Sequence, residues 1–278
     1  MSERPGSSVR ARVTVLEGSE SVVRRDHLAT EEPLEIRLAA AEERSRVAVT
    51  MRTPGHDFEL AVGFLAGEGV IRDQDDLRRV DYCTEIDVPA EQQYNVVTVT
   101  LRAAELPELV RLDRHGFVSS ACGVCGKASL DALAIRSAPV SSSESITLAT
   151  LYALPDRLRA AQAVFGDTGG LHAAALFTGD GVPIVVREDV GRHNAVDKVV
   201  GHRLLHGGPA PAVLVVSGRT SYEIVQKAVA ARVPVVAGVS APTSLAVAAA
   251  EQFGVTLAGF LRGEHVNVYS HPERVASP

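Results

Sequence analysis

The second half of the chain constrains its fold most. Between residues 212 and 263 it reads "AVLVVSG", "SYEIVQKAVAA", "PVVAGVS", "TSLAVAAAEQFG" and "VTLAGFLRG". Short, wholly apolar runs alternate there with segments whose apolar residues recur at helical spacing. A strand that is apolar at every position must be covered on both faces, and helices between such strands supply the cover. The pattern predicts βαβ units around a buried parallel sheet. Upstream, "GRHNAVDKVVGHRLL" predicts a helix with Val196, Val199, Val200 and Leu204 on one face. "LHAAALFT" and "VPIVVRE" predict strands around the turn "GDG", and "DRLRAAQAVF" a helix ended by Gly166.

The first half has a different texture. "PLEIRL", "RVAVTM", "RVDYCTEI" and "NVVTVTL" predict short strands, the last alternating with period two. Between them "HDFELAVGFLAGEG" predicts a helix with Phe58, Ala61, Val62 and Leu65 on one face, stopped by Gly67 and Gly69. This half reads as an α+β domain with an antiparallel sheet. Residues 1–12, with Pro5, Gly6, Ser7 and Ser8 and no periodicity, read as a disordered N-terminus, and "SAPVSSSESIT" (137–147) as a loop. The fold class is therefore α/β with an α+β N-terminal part: a smaller domain over 13–112, then an α/β domain over 113–278 that opens on a cysteine-bearing loop.

The 278 residues suffice for an ample core. Thirty-four acidic against 28 basic side chains leave a net charge of −6, which argues against broad nucleic-acid binding. A local basic pocket for a phosphate-bearing small molecule is compatible with it. No apolar run approaches the ~18 residues of a membrane span, and "MSERPGSSVRARV" lacks the apolar centre of a signal peptide. These features point to a cytoplasmic protein with no membrane partner, where thiols stay reduced. Three cysteines, Cys83, Cys122 and Cys125, are an odd number and disfavour a disulfide framework.

Two of them form the pair in "SSACGVCGKASL" (119–130). Thiolates are the reactive form, and neighbouring Lys127 and a following helix start favour them. Gly123 and Gly126 strip the loop of side chains, so a partner sulfur can approach. Four readings compete. Structural zinc needs four ligands, and no second C-x-x-C or H-x₃₋₅-H pair is present, nor does the spacing of His115 or Cys83 support either as a ligand. A thioredoxin-like pair belongs inside an opening βαβ unit, whereas this one lies between the two halves. Inert buried cysteines sit poorly among glycine and serine. The remaining reading is a thiol that accepts and passes on sulfur, and the chemistry favours a reactive thiol over a metal role.

Two strand-to-helix turns come next, "VVSGRTSYE" (215–223) and "GVSAPTSLA" (238–246). Ser221 and Thr243 are N-cap candidates, with Glu223 assisting the first. Capping alone explains one such turn. Two of them, on successive parallel strands, face the carboxyl edge where open α/β sheets bind ligands, and Ser240, Thr243, Ser244, Arg219 and Arg262 suit a phosphorylated ligand there. Neither turn is a P-loop or a G-x-G-x-x-G fingerprint. The polar run "REDVGRHNAVDK" (187–198) is either a site or an ion-pair network fixing a helix start, with His193 and Asp197 on one face. His172, in "DTGGLHAAA", reads as a satisfied core histidine rather than a ligand.

Taken in order, "RTPGHDFELAVGFLAGEGVI", "CGVCGK", "TGGLHAAA", "VREDVGRHNAVDK", "SGRTSYEIVQKA", "SAPTSLAV" and "TLAGFLRG…NVY" resemble the FdhD/NarQ family of formate dehydrogenase accessory sulfurtransferases. The resemblance spans roughly residues 30 to 275, and a chain of ordered motifs is more specific than any one of them. It implies a sulfur carrier that takes persulfide sulfur from a cysteine desulfurase. It also implies delivery of that sulfur to the molybdenum cofactor, bis(molybdopterin guanine dinucleotide), before the cofactor enters formate dehydrogenase. On this likeness Cys122 matches the persulfide carrier and Cys125 its companion. Phe260, Leu261, Arg262, Gly263, Glu264 and His265 match the cofactor-contacting segment, for which a guanine nucleotide is a mimic, and Glu264 is the acidic exception there. The domain over 113–278 then resembles the three-layer cytidine deaminase fold.

Zinc deaminases carry H-x-E and P-C-x-x-C. Here "HAA" (172–174) has alanine in place of the glutamate, and Ala121 rather than proline precedes Cys122. Deamination is therefore disfavoured, and the scaffold is reused without its zinc chemistry. Arg187, Arg192 and Lys198 are further candidates to favour a bound anion. A symmetric homodimer is the ordinary expectation for such a chain. The rival reading, from another class, is a non-catalytic cofactor chaperone whose C-x-x-C pair holds a metal.

Overall fold

The computed structural model describes residues 6–83, 94–107 and 137–276. Cys122 and Cys125, with Ala121 and the rest of the 119–130 loop, lie outside the described residues.

The chain opens with a hairpin. β1 (Ser8–Glu17) and β2 (Glu20–Ala29) pair antiparallel around Gly18, in register from Ser8↔Ala29 to Glu17↔Glu20. Residues 8–12, read as disordered from their composition, are therefore strand. Val9, Ala11, Val13 and Val15 alternate along β1, and the left-handed Gly18 (φ 61°) closes the turn.

A four-stranded sheet follows, with β3 (Glu32–Ala40), β4 (Glu43–Arg52), β5 (Leu77–Tyr82) and β6 (Val96–Leu101) in the order β4-β3-β6-β5. The sheet is mixed rather than antiparallel. β6 returns beside β3 and runs parallel to it, while β3–β4 and β5–β6 are antiparallel. Val97, Val99 and Leu101 point inward from β6 in strict alternation. Cys83, just past β5, is buried beside Arg37. Helix α1 (Asp57–Gly67) covers this sheet. It is buried nearly all round, not on one face, because its far side packs on a second helix.

That helix belongs to the larger unit. Its elements are α2 (Leu148–Ala160), α3 (Ala163–Thr168), β8 (His172–Phe177), β9 (Pro183–Asp189), α4 (Arg192–His206) and β10 (Val213–Val216). They are followed by α5 (Tyr222–Ala230), β11 (Val235–Gly238), α6 (Ser244–Phe253), β12 (Thr256–Arg262) and β13 (His265–Ser270). A short pair, β7 (Ile146–Thr147) with β14 (Val275–Ala276), ties the end of the 137–147 loop to the chain's last described residues.

The six-stranded sheet runs β13-β12-β11-β10-β8-β9. Its centre, β10-β11-β12, is parallel as the apolar runs predict. Its two sides are antiparallel, which corrects the expectation of a wholly parallel sheet. Short connections decide this: a tight turn can join only antiparallel neighbours, and here the links are 178–182 and 263–264. Leu151, Leu154 and Leu158 of α2 pack on one face with Phe177, Val215 and Ala258. α4, α5 and α6 cover the other through Val196, Val199, Ile224, Val225 and Phe253. The larger unit is thus a three-layer sandwich of mixed α/β class. The helical run "DRLRAAQAVF" is broken at Ala161–Gln162 and ends at Gly169, not Gly166. The Glu188 carboxylate accepts from Val164 N and Phe165 N at 3.0 and 2.7 Å, holding the start of α3 from outside the helix.

Candidate functional site

The carboxyl ends of β10, β11 and β12 share one edge of the sheet. Antiparallel pairing brings the start of β8 and the end of β9 to the same edge, with His172 opposite Asp189. Backbone hydrogen bonds lace the emerging loops together: Thr220 N to Ala241 O (3.2 Å), Thr243 N to Thr220 O (3.0 Å) and Phe260 N to Ser240 O (3.1 Å). Ser217 closes the other side, its N donating to Ala173 O and its Oγ accepting from Ala173 N. The predicted turns therefore form one continuous shelf, positioned by rigid strands.

Ser240, Thr243, Ser244 and Arg219 stand on this shelf, the last three exposed. Thr243 caps α6, its Oγ1 accepting from Ala246 N at 3.3 Å. The 260–265 segment is the tip of the β12–β13 hairpin. Arg262, Gly263, Glu264 and His265 are exposed there, and Arg262 stacks 5.9 Å from the Phe260 ring centroid. Phe260 holds a left-handed backbone, φ 53°, which costs roughly 1–3 kcal/mol in a residue with a β-carbon. Leu261 is the exception: its side chain is fully buried beneath α2, so it can present only backbone to a ligand.

The helix starts beside the shelf add a second set of groups. Ser221 occupies the N-cap of α5 but makes no capping bond. Its Oγ lies instead 3.0 Å from His193 Nε2, in the first turn of α4, and Glu223 Oε2 lies 2.7 Å from the same nitrogen. The hydrogen bond from His193 holds the Glu223 carboxyl below its usual range, against a smaller opposing effect of burial. At the same edge, burial pushes His172 below the ordinary histidine range, and the positive charges of Arg192 and His193 push it further. Gly218 makes room between them: a β-carbon there would stand 3.3 Å from His172 Nδ1 and 3.7 Å from Arg192 Cδ. Arg192 Nε is buried and has no hydrogen-bond partner among the described residues. His172 is therefore partly exposed at the sheet edge rather than sealed in the core as its apolar surroundings suggest.

The rest of the polar run is structural. Asp189, fully buried, accepts from Gly191 N (2.8 Å), Asn194 Nδ2 (3.0 Å) and Thr53 N (3.2 Å) and pairs with Lys198 Nζ at 2.7 Å. Lys198 also donates to Thr53 O and Glu188 O. Arg187 grips the Glu59 carboxylate with Nε and Nη2 at 2.5 and 2.7 Å. Arg187 and Lys198 are thus committed to joining the two units, whereas Arg192, beside Gly218 at the sheet edge, keeps a buried Nε without a partner among the described residues.

A cavity of about 350 Å³ opens between α1 and the starts of α4 and α5, lined by Thr50, Phe64, His193, Asp197, Glu223 and Lys227. Burial pushes the Asp197 carboxyl up to about 6, although Lys227 Nζ lies 2.5 Å from its Oδ1 and opposes the shift. Sequence spacing places His193 and Asp197 together on α4, but nothing in it links His193 to Ser221 and Glu223. That link exists because α4 and α5 both start at one sheet edge.

Fold and site together define a three-layer α/β protein with exposed cations, Arg219 and Arg262, on the carboxyl edge of its sheet, the place where such sheets hold phosphorylated ligands. The chain matches the FdhD/NarQ family over residues 29–276, and it belongs to that family. A relative from Mycolicibacterium paratuberculosis named sulfur carrier protein FdhD is 51% identical, covering 96% of this chain and 98% of its own. The protein of that name from Streptomyces coelicolor is 53% identical over 91% of this chain and 90% of its own. Among solved structures, a candidate formate dehydrogenase accessory protein from Desulfotalea psychrophila superposes with a TM-score of 0.75 at 25% identity, covering 97% of this chain and 99% of that one. No helix among the described residues is long and apolar enough to cross a membrane.

Proposed function

We propose that this protein is a cytoplasmic persulfide carrier, a sulfurtransferase that moves sulfur from a cysteine desulfurase to the molybdenum of bis(molybdopterin guanine dinucleotide) before that cofactor enters formate dehydrogenase. The observation that carries the reading is near-full-length similarity to proteins named sulfur carriers, in a chain that retains the cysteine pair "CGVCGK".

In the first step the Cys122 thiolate attacks the terminal sulfur of the desulfurase persulfide. A new S–S bond forms on Cys122, the old one breaks, and the desulfurase cysteine leaves as thiolate. In the second step the terminal sulfur passes to reduced molybdenum, which gives it two electrons as it becomes sulfide. The S–S bond breaks, its electron pair stays on the Cys122 sulfur, and Cys122 is restored as thiolate. Cys125 is the auxiliary thiol beside it.

The shelf supplies what the cargo needs. The guanine dinucleotide brings phosphates, and Arg219, Arg262 and His265 stand exposed at the edge where α5 and α6 begin. Phe260 presents a half-buried ring beside them. Docking at this edge, as a symmetric homodimer, is part of the proposal.

The test is a mass measurement. After incubation with desulfurase and cysteine, the Cys122 peptide gains about 32 Da. Cys122→Ala leaves folding and guanine-nucleotide binding intact while formate dehydrogenase activity disappears. Stoichiometric zinc on the cysteine pair, with function retained in Cys122→Ala, would establish the chaperone instead.

A further inference from the structure

The Glu59 carboxylate on α1 is surrounded by three imidazoles. His202 and His206 stand one turn apart on α4, ring centroids 4.7 Å apart. His202 Nδ1 lies 2.9 Å from Glu59 Oε1, and His206 Nε2 lies 3.7 Å from the same oxygen. His56, just before α1, places Nδ1 3.4 Å from Glu59 Oε2. Donors about 2.1 Å from a tetrahedral ion are about 3.4 Å from one another, and these separations straddle that value. The ligand atoms of Glu59, His202 and His206 all fall within 4.8 Å of each other.

Two rigid helices hold the cluster in place. A β-carbon on Gly201 would collide with Glu59 O, and one on Gly63 with Asp197 O, so α1 and α4 meet backbone to backbone. That contact seats Glu59 directly beneath the last turn of α4. One imidazole of the cluster stands close to both a donor and an acceptor. His202 Nδ1 lies 3.1 Å from Arg187 Nη2 as well as 2.9 Å from Glu59 Oε1. One ring nitrogen cannot accept from the guanidinium and donate to the carboxylate at once. Nδ1 therefore turns to Glu59 Oε1, and the 2.9 Å gap between them is closed either by a proton on Nδ1 or, in that proton's place, by a cation bound to both atoms.

We propose that Glu59, His202 and His206 form a binding site for a divalent transition-metal ion of the zinc class. Two imidazoles and one carboxylate are a nitrogen-rich, borderline donor set with a fourth position open to water, suited to zinc, cobalt or nickel rather than calcium or magnesium. Arg187 is a positioning residue: it aims the carboxylate and leaves the outward lone pairs open. The ion has a way in, because His56 and His206 are more than half exposed and line a cavity of about 660 Å³ together with Glu59. Its ligands come from both units, so the ion would clamp α1 to α4. The site contains no cysteine and does not rest on the sulfur-carrier reading.

The test uses untagged full-length protein carrying Cys122→Ser and Cys125→Ser, so that thiolates contribute nothing. After chelator treatment it is titrated with Zn²⁺ by calorimetry and with Co²⁺ by absorption. One ion per chain is expected to bind at micromolar or lower concentration, with visible cobalt bands and no sulfur charge-transfer band, and zinc should raise the unfolding temperature. His202→Ala with His206→Ala should weaken binding at least ~10-fold, and His206→Gln, at an exposed position, should do so should the double variant not fold. The proposal is overturned by a parent protein that takes up no stoichiometric ion, or by folded histidine variants that bind as the parent does.

Discussion

His193 Nε2, in the first turn of α4, stands 2.7 Å from Glu223 Oε2, in the first turn of α5. The pair fixes the two helix starts against each other beside the sheet edge, and Ser221 completes it at 3.0 Å. His193→Ala should therefore disturb delivery and spare loading. Cys122 is expected still to gain its persulfide, while activation of formate dehydrogenase falls at least ~10-fold, since small displacements at a docking edge are costly in rate. Parallel loss of both steps would mean that the pair merely stabilises the fold.

Arg262 and Leu261 are neighbours with opposite fates. Arg262 is exposed at the hairpin tip, whereas Leu261 is fully buried. Arg262→Ala should weaken GDP binding about 10-fold, the worth of a charge-assisted hydrogen bond. Added salt should narrow the difference, and Arg262→Lys should recover only part of it, because a lysine lacks the planar fork. Leu261→Ala should instead cost about 2–5 kcal/mol of stability and leave the affinity of the folded protein unchanged. Calorimetry and urea unfolding separate the two.

How far the sequence could be read depended on the range of each signal. Periodicity is local, and it located β6, α4, β10, α5, β11, α6 and β12 and the shelf residues Ser240, Thr243 and Arg219. Sheet order is not local: whether β8 or β6 lies parallel to its neighbour depends on which strand the chain returns to. Composition misjudged residues 8–12, whose arginines mask an alternation that pairs with β2. Side-chain relations across elements were invisible altogether. Arg187 reads as an anion-binding cation until Glu59, far away in sequence, closes on it. Ser221 reads as a cap until His193 claims its hydroxyl.

Asp197 gives a pH signature with a definite sign. Its folded carboxyl titrates near 6 against an ordinary aspartate value of 3.8, so between these values the folded protein holds the extra proton. The stabilisation is complete below the unfolded value and is lost as pH rises through about 6, a total on the order of 3 kcal/mol. Asp197→Asn cannot titrate. Relative to that variant, the parent should lose stability between pH 4.5 and 7.5 in urea unfolding. A parent that gains stability over this range would show that Lys227, not burial, governs the carboxyl.

The crossing of α1 and α4 rests on Gly63 and Gly201, each facing a backbone carbonyl of the other helix. A carbonyl cannot rotate aside as a flexible side chain can, so a methyl group at either position must push the helices apart. That displacement would strain the Arg187–Glu59 pair and the Asn194 bonds to Met51 O and Asp189 at the same time. Gly63→Ala and Gly201→Ala should each destabilise the protein by about 3 kcal/mol or more. Gly166→Ala, within α3 with open space around the added methyl and no positive φ, should cost little or stabilise. Thermal unfolding of the three variants decides it: equal losses at all three positions would show that the close approach of two helices is not what Gly63 and Gly201 provide.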